Sequence, residues 1–318
     1  MCGISGIYVV GDKPPSWETI QTFCDTWRIQ YVRGVDATGI FAIVDHNGAR
    51  KLFYAKAPLP AYEYVPYVCE YWRQRGIRPL YAIAHARAAT HGSPLHNANN
   101  HPIVHIHGTT INALVHNGVV QDRVCPPDDM ISETDTEHIL CKLERTPFNE
   151  LTAVTGSAAI LFMSVDVSSG TPELEHYIVY RQTSPLEVYN APDALIFASQ
   201  FSVYSTRRTS IDFRYLGDVD VQPIVTGAKE YPQYVYRDLV TGAERRVPIA
   251  ISNHFFHVPK SGQSEQEKSE SEQREKDESE YAKHKDRWYY RTLRDLLRYR
   301  RWREDWWYYR WYKDWWYY

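Results

Sequence analysis

The stretch MCGISGIYVV, residues 1–10, is the part of the sequence that most strongly determines the fold. From Gly3 onward it is an apolar run of the kind that forms a buried β-strand. Cys2 directly precedes this run and becomes the first residue when an aminopeptidase removes Met1. A free α-amine has a pKa of about 7.7–8.0, near enough to neutrality to accept the proton of its own thiol. The alternative is that cysteine occupies this position by chance.

Further apolar runs and two helical patterns extend the predicted fold. Strand-like runs follow at residues 39–44, 51–56, 80–84, 111–115, 158–165, 177–180 and 195–198. After Ser16, apolar residues recur with the spacing of one helix face between Trp17 and Tyr31. Ser132 begins a second helix, whose apolar positions include Ile139. Strands in groups, rather than in strict alternation with helices, predict stacked sheets with helical layers instead of repeated βαβ units.

Composition divides the 318 residues into three parts. Residues 1–258 form the predicted folded domain. Residues 259–287 are mostly Ser, Gln, Glu and Lys and predict a charged, disordered linker. Residues 288–318 hold seven of the ten Trp and form an aromatic, basic tail. The net charge of −3 gives no argument for nucleic-acid binding by the whole chain.

The tail has four interpretations. We favour docking on a protein partner, because the spacing of Leu293, Leu296, Leu297 and Trp302 is that of a short amphipathic helix. The tail folding back over an apolar patch of the domain is the second interpretation. Stacking on single-stranded nucleic acid and adsorption to a membrane surface are the other two, and are less favoured.

Targeting and cysteine patterns predict a cytoplasmic protein. No apolar run approaches the roughly 18 residues of a membrane span, and the N-terminal residues lack the pattern of a signal peptide. The five cysteines are scattered without a Cys-x-x-Cys pair. This spacing predicts neither a disulfide framework nor a zinc ribbon.

Four further motifs accompany CGISG at residues 2–6. They are YVRGVDATG at 31–39, AHARAATHG at 84–92, HNG at 116–118 and SETDTE at 132–137. In this order the motifs resemble the class II glutamine amidotransferases, whose glutaminase domain has an N-terminal nucleophile; weaker similarity continues at residues 156–159, 181–186 and 197–199. The resemblance implies an α+β fold, a four-layer αββα sandwich of the N-terminal nucleophile hydrolase type.

The resemblance assigns catalytic roles to three residues. It implies that Cys2 supplies the nucleophile and the base for attack on the side-chain amide of glutamine. It matches the Asn117 side-chain amide and the Gly118 backbone N–H to the two donors of an oxyanion hole. The alternative for Asn117-Gly118 is a tight hairpin turn, which this dipeptide favours between apolar strands.

The resemblance also assigns substrate-binding roles. Arg87 matches the residue that binds the substrate α-carboxylate, and its alternative is a surface ion pair. Asp135 matches the residue that receives the α-ammonium, and its alternative is a helix-capping carboxylate. Thr90 and His91 match residues that line the glutamine pocket, and Arg33 matches a residue that supports the nucleophile. Each of these last three has a purely structural alternative.

Two positions depart from the family pattern, and one histidine pair raises the question of a metal. Ala88 stands where the family often has a bulky aromatic residue, and Gln200 stands where it usually has Glu. His105 and His107 point to one face of a strand, but no acidic or thiol residue lies at convincing ligand spacing in the sequence. The sequence therefore predicts no metal and no cofactor.

The predicted function is hydrolysis of glutamine to glutamate and ammonia, with the ammonia passing to a separate acceptor enzyme. A separate partner is predicted because no motif of a second catalytic domain follows the glutaminase part. One alternative is a hydrolase of larger γ-glutamyl amides. Another is a catalytically silent relative that acts as an assembly or binding protein through its tail. The oligomeric state is left open by the sequence.

Overall fold

The computed structural model of the chain describes residues 2–145, 154–201, 221–223 and 233–248. The predicted linker (259–287) and tail (288–318) lie outside these residues, so the interpretations of the tail stay predictions. So does the domain boundary at residue 258. Among the described residues, no helix combines the length and apolar character that a membrane span needs.

Two antiparallel sheets and three α-helices make up the described part of the chain, which is an α+β arrangement. The helices are α1 (Trp17–Ile29), α2 (Ala61–Arg75) and α3 (Thr136–Arg145). The strands, in chain order, are β1 (Gly3–Val9), β2 (Ala37–His46), β3 (Ala49–Ala57), β4 (Ile77–Arg87), β5 (Ile103–His107), β6 (Thr110–Val120), β7 (Gly156–Asp166), β8 (Glu173–Arg181), β9 (Glu187–Asn190), β10 (Ala194–Ala198), β11 (Val221–Pro223), β12 (Gln233–Asp238) and β13 (Glu244–Pro248).

The strands divide into one sheet around β1 and another around β7. The first sheet has the order β11-β9-β10-β1-β4-β2-β3, so the N-terminal strand lies at its centre. The second sheet has the order β13-β12-β8-β7-β6-β5. Central placement of β1 follows from its sequence, because nearly all its residues are buried and such a strand needs cover on both faces.

Three apolar clusters show what covers each sheet. One cluster joins α1 and α2 to the first sheet, and Trp27 and Trp72 are fully buried in it. A second cluster lies between the sheets, where Phe41 and Ile83 meet Leu161. A third packs α3 against the outer face of the second sheet. Alternate residues of β1 supply two clusters, since Ile4 belongs to the second and Ile7 to the first.

The prediction that the cysteines form no disulfide framework was wrong. Cys24 in α1 is bonded to Cys69 in α2, and Cys125 is bonded to Cys141 in α3. Cys2 is the free cysteine. The pairs are 45 and 16 residues apart in sequence, so their proximity arises from helix packing rather than from a local motif.

Candidate functional site

The thiol of Cys2 lies at the start of β1, where the end of β4 passes beside it. Its Sγ is 3.4 Å from both the backbone N and the backbone O of Ala88, the residue that follows β4. Antiparallel pairing produces this contact, because Gly3 pairs with Ala86 in β4. The backbone of Ala88 therefore contacts the thiol, at a position where the family often has an aromatic residue.

Arg33 holds the backbone of Cys2 from the other side. Its Nε donates a hydrogen bond of 2.9 Å to the Cys2 carbonyl oxygen, and its Nη1 donates one of 3.3 Å to Gln200 Oε1. Gln30 also holds Gln200, through a bond of 2.9 Å from its Nε2 to the Gln200 carbonyl oxygen. The amide of Gln200 thus accepts a hydrogen bond from Arg33 at the position where the family usually has a carboxylate.

A close backbone contact explains the glycine of the RGVD sequence. A Cβ on Gly34 would lie 2.3 Å from the backbone carbon of Arg87, so no larger residue fits without displacing the backbone. Asp36 joins the same two loops, because its N donates to the Arg87 carbonyl and its Oδ2 accepts from Ala89 N, both at 2.9 Å. The loop after α1 and the loop after β4 are therefore fastened together beside Cys2.

Arg87 is 2% exposed, so it is not the surface ion pair of the alternative interpretation. Its Nη1 donates to Asn100 Oδ1 at 2.9 Å, and its Nη2 donates to the carbonyl oxygens of His91 and Gly92. These acceptors are neutral oxygens, and the three hydrogen bonds fix the orientation of the guanidinium.

Thr90 and His91 are exposed in the loop that follows Arg87. The His91 Nδ1 lies 3.2 Å from Thr90 Oγ1, so the two side chains contact each other. Their pocket-lining role stays a prediction.

The HNG sequence lies inside a strand, so the hairpin interpretation was wrong. Asn117 and Gly118 belong to β6 and pair with Ala159 and Ala158 in β7. Gly118 has a φ of +150°, and a Cβ there would lie 1.8 Å from the Ser157 carbonyl oxygen. Both facts require glycine at this position.

Asn117 presents an unusual polar group. Its side chain is 1% exposed, and its Nδ2 has no hydrogen-bond partner among the described residues. Buried amide donors are nearly always paired, so an unpaired one invites an explanation such as a missing acceptor. The residue before Asn117 contacts β4, the strand that pairs with β1, because His85 Nε2 lies 3.1 Å from the carbonyl oxygen of His116.

Asp135 lies immediately before α3 and is 7% exposed. Its Oδ2 accepts a hydrogen bond of 2.8 Å from Val120 N in β6, so the side chain joins α3 to the strand of Asn117. Glu137, rather than Asp135, holds the preceding loop. Its carboxylate accepts hydrogen bonds of 2.6 and 2.8 Å from the backbone N of Ile131 and Ser132. The capping interpretation thus fits Glu137 rather than Asp135.

Burial and neighbouring charges shift the pKa of the Cys2 thiol. Burial raises the pKa of the Cys2 thiol above its ordinary value, and the charge of Asp135 acts in the same direction. The Ala88 backbone and the Arg87 charge lower the pKa, but by less than burial raises it. The raised pKa disfavours the thiolate, so a base that accepts the thiol proton would assist nucleophilic attack.

Lys56 is a further charged residue near Arg87 that the motifs did not reveal. Burial, together with the neighbouring charge of Arg87, lowers the pKa of its amine to about 7. Its Nζ donates to the carbonyl oxygen of Asn100 at 2.7 Å. Neither Lys56 nor Asn100 belongs to one of the motifs. Contacts between segments that are distant in the sequence bring them together, and no local pattern predicts such contacts.

An acidic partner for the two histidines also comes from a distant part of the sequence. Glu144 in α3 lies 3.1 Å from His105 Nδ1 and 3.2 Å from His107 Nε2. Glu137 lies 3.0 Å from the other ring nitrogen of His105. Burial opposes protonation of His105, but hydrogen bonds to the two carboxylates outweigh it and raise the pKa to about 9.

Comparisons with known proteins match part of the chain to a family. Residues 36–162 match the family described as class-II glutamine amidotransferases. The chain contains a class II glutamine amidotransferase domain.

Curated relatives bear the name glutamine–fructose-6-phosphate aminotransferase (isomerizing). The one from Helicobacter pylori is 34% identical over 137 residues, which are 40% of this chain and 22% of the relative. The one from Bartonella quintana is 28% identical over 276 residues, which are 81% of this chain and 42% of the relative. The chain thus matches less than half the length of either protein. A solved structure described as a predicted glutamine amidotransferase from Pseudomonas aeruginosa is 13% identical, with a TM-score of 0.29, over 74% of this chain and 94% of that one.

Proposed function

We propose that the protein hydrolyses the side-chain amide of glutamine to glutamate and ammonia, with the Cys2 thiol as nucleophile. The observation that carries this proposal is the buried Nδ2 of Asn117 on β6, which has no hydrogen-bond partner among the described residues. An oxyanion-hole donor is expected to lack a partner until the reaction places a negative oxygen before it. The Gly118 backbone N–H is the second donor that we propose.

The proposed reaction begins with proton transfer inside Cys2. After removal of Met1, the α-amine takes the thiol proton, and the thiolate attacks the side-chain carbonyl carbon of glutamine. Asn117 and Gly118 stabilise the oxyanion, the amine returns the proton to the leaving ammonia, and a thioester remains. Water then attacks the thioester and releases glutamate and the thiol. The raised pKa of the Cys2 thiol supports a role for an adjacent base.

We propose that Arg87 and Asp135 recognise the amino-acid end of glutamine. Both are buried and both act electrostatically on Cys2, so they lie within reach of a substrate bound at the thiol. Opposite charges on the two side chains match the α-carboxylate and the α-ammonium respectively. Thr90 and His91 would complete the pocket from the loop after β4, and Arg33 would hold Cys2 in position through its carbonyl oxygen.

We also propose that the fold is the four-layer αββα sandwich of N-terminal nucleophile hydrolases. The order of the three apolar clusters supports it, with helices outside two facing sheets. The ammonia acceptor is proposed to be a separate enzyme. The relatives' names include an aminotransferase activity on fructose 6-phosphate.

A γ-glutamyl amide hydrolase is the second candidate function, and Ala88 favours it. The backbone N of Ala88 lies 3.4 Å from Cys2 Sγ, and alanine takes less space at this position than the aromatic residue that the family often has, which would suit an amide substituent larger than hydrogen. Glutamine and γ-glutamyl peptides offer the same amino-acid end to Arg87 and Asp135. The two functions therefore differ in the leaving group alone.

Glutamate release by the full chain tests the proposal, with Cys2→Ala and Cys2→Ser as variants. We expect both variants to lose at least about 10³-fold in kcat while their unfolding temperatures stay unchanged. Intact mass must show that Met1 is absent from the active protein. Unchanged activity in Cys2→Ala, or full activity with Met1 retained, would overturn the proposal. Faster turnover of γ-glutamyl peptides than of glutamine would favour the second candidate.

A further inference from the structure

The second sheet and α3 bring together a cluster of metal-ligating side chains outside the candidate glutaminase site. His105 and His107 alternate along β5 and share a face, and Glu144 approaches both from the end of α3. One potential ligand atom from each side chain lies within 4.8 Å of the others. We propose that His105 Nδ1, His107 Nε2 and the Glu144 carboxylate bind a divalent transition-metal ion of the zinc class.

The ligand set determines the kind of ion. Two imidazoles and one carboxylate suit Zn²⁺, Co²⁺ or Ni²⁺, whereas Mg²⁺ and Ca²⁺ prefer sites made of oxygen atoms. The three side chains leave at least one coordination position for water.

The distances fit such an ion with a small movement of one ligand. Bonds of about 2.0–2.1 Å in a tetrahedral site place ligand atoms roughly 3.4 Å apart. The Glu144 oxygens lie 3.1 Å from His105 Nδ1 and 3.2 Å from His107 Nε2. Since the His107 side chain is 61% exposed, it can rotate to bring its Nε2 closer to His105 Nδ1. The same exposure gives the ion a path from solvent.

Hydrogen bonds already orient two of the three ligands. The His105 Nε2 lies 3.0 Å from Glu137 Oε1, so its proton points away from the proposed ion and Nδ1 faces it. Asn112 Nδ2 donates a bond of 3.0 Å to Glu144 Oε1. A carboxylate on the far nitrogen of a histidine is the usual companion of a metal-bound imidazole. An isolated surface ion pair would require neither the hydrogen bond between His105 and Glu137 nor the one from Asn112 to Glu144.

The proposed ion would fasten β5 to α3. Binding exchanges the Nδ1 proton of His105 for the ion, while the Nε2 proton remains on the bond to Glu137. Because Glu137 also holds the backbone of Ser132, the ion would stabilise the segment that leads to Asp135. Its role is thus structural, and it takes no part in the attack on the amide.

Titration of the chelator-treated, dialysed full chain with Co²⁺ and Zn²⁺ tests this site. We expect one equivalent of Co²⁺ to give visible absorption bands and one equivalent of Zn²⁺ to raise the unfolding temperature. His107→Ala and Glu144→Gln should each weaken binding at least about 10-fold. His96→Ala, which removes an exposed histidine outside the cluster, should bind as the parent does.

Three results would overturn the inference. They are absence of binding by the parent, equal binding by parent and His107→Ala, and equal loss of binding in His96→Ala. Because His107 is exposed, its variant is expected to fold and to keep its glutaminase activity. Failure of the metal site would therefore leave the proposed glutaminase function untouched.

Discussion

Asn117 and Glu137 are both buried polar residues, but the structure treats them in opposite ways. The Glu137 carboxylate accepts hydrogen bonds from Ile131 N, from Ser132 N and from the Ser132 hydroxyl, and pairs with His105. The Asn117 Nδ2 has no partner among the described residues. A buried unpaired donor costs about 1–3 kcal/mol. We infer that Glu137 stabilises the fold and that the Asn117 side-chain amide binds a ligand.

Removal of the Glu137 carboxylate should have the largest effect on stability. Glu137→Ala leaves several donors buried without an acceptor, and we expect it to lower the free energy of unfolding by about 3–5 kcal/mol. Denaturant titration measures this loss. Glu133→Ala, which removes an exposed carboxylate of the same loop, is the control and should cost less than about 1 kcal/mol. If Glu137→Ala lost less than about 1 kcal/mol, Glu137 would not stabilise the fold, and its contrast with Asn117 would disappear.

Removal of either disulfide should lower the free energy of unfolding without affecting the candidate site. Loop-closure entropy predicts a cost of about 4 kcal/mol for Cys69→Ser and about 3 kcal/mol for Cys141→Ser, according to the lengths of the closed loops. Unfolding of the oxidised parent and of each variant measures the cost. We expect Cys69→Ser to keep the parent kcat, since Cys69 lies in α2 on the outer side of the first sheet. A fall in kcat as large as that of Cys2→Ala would contradict this separation.

His176 and Asp238 form a second pair of histidine and buried carboxylate, but with an exposed histidine. Their Nδ1 and Oδ2 atoms are 2.8 Å apart, and the His176 side chain is 46% exposed. The hydrogen bond to Asp238 raises the pKa of His176. Burial would raise the pKa of Asp238, but hydrogen bonds from His176 and Thr241 outweigh it and lower the pKa.

The pair should stabilise the protein between about pH 4 and pH 6.5. Below this range Asp238 is protonated as the pH falls through its lowered pKa, and above it His176 loses its proton as the pH rises through its raised pKa. Because solvent screens the pair, we expect His176→Asn to cost at most about 1 kcal/mol within this range, and less at pH 9. Unfolding measured at pH 5.5 and pH 9 tests the difference. A larger cost at pH 9 would contradict the assignment.

Much of the fold was predictable because apolar runs mark buried strands. The strands around Ile7, Ile83 and Leu161 lie where the sequence predicts them. Helix α2 was not predicted, since Pro66 and four tyrosines interrupt its apolar face. The short strand β9 was also missed, because four residues carry little periodicity.

The site was predictable in part, through residues held in short motifs. Contacts between distant segments were not, since no local pattern reports them. Glu144 reaches His105 from α3, and Cys125 reaches Cys141 across a loop and a helix turn. Likewise, Asn-Gly between apolar residues favours a turn locally, but pairing with β7 keeps Asn117 within a strand.

The most direct test of the central claim is Asn117→Ala, with kcat for glutamine and the free energy of unfolding measured on the same preparation. Removal of an oxyanion donor should lower kcat by about 10²–10³-fold with little change in KM. Because Nδ2 makes no hydrogen bond within the described structure, the free energy of unfolding should stay within about 1 kcal/mol of the parent value. A parent-like kcat combined with a loss of stability above about 2 kcal/mol would contradict the account, because Asn117 would then serve the fold as Glu137 does.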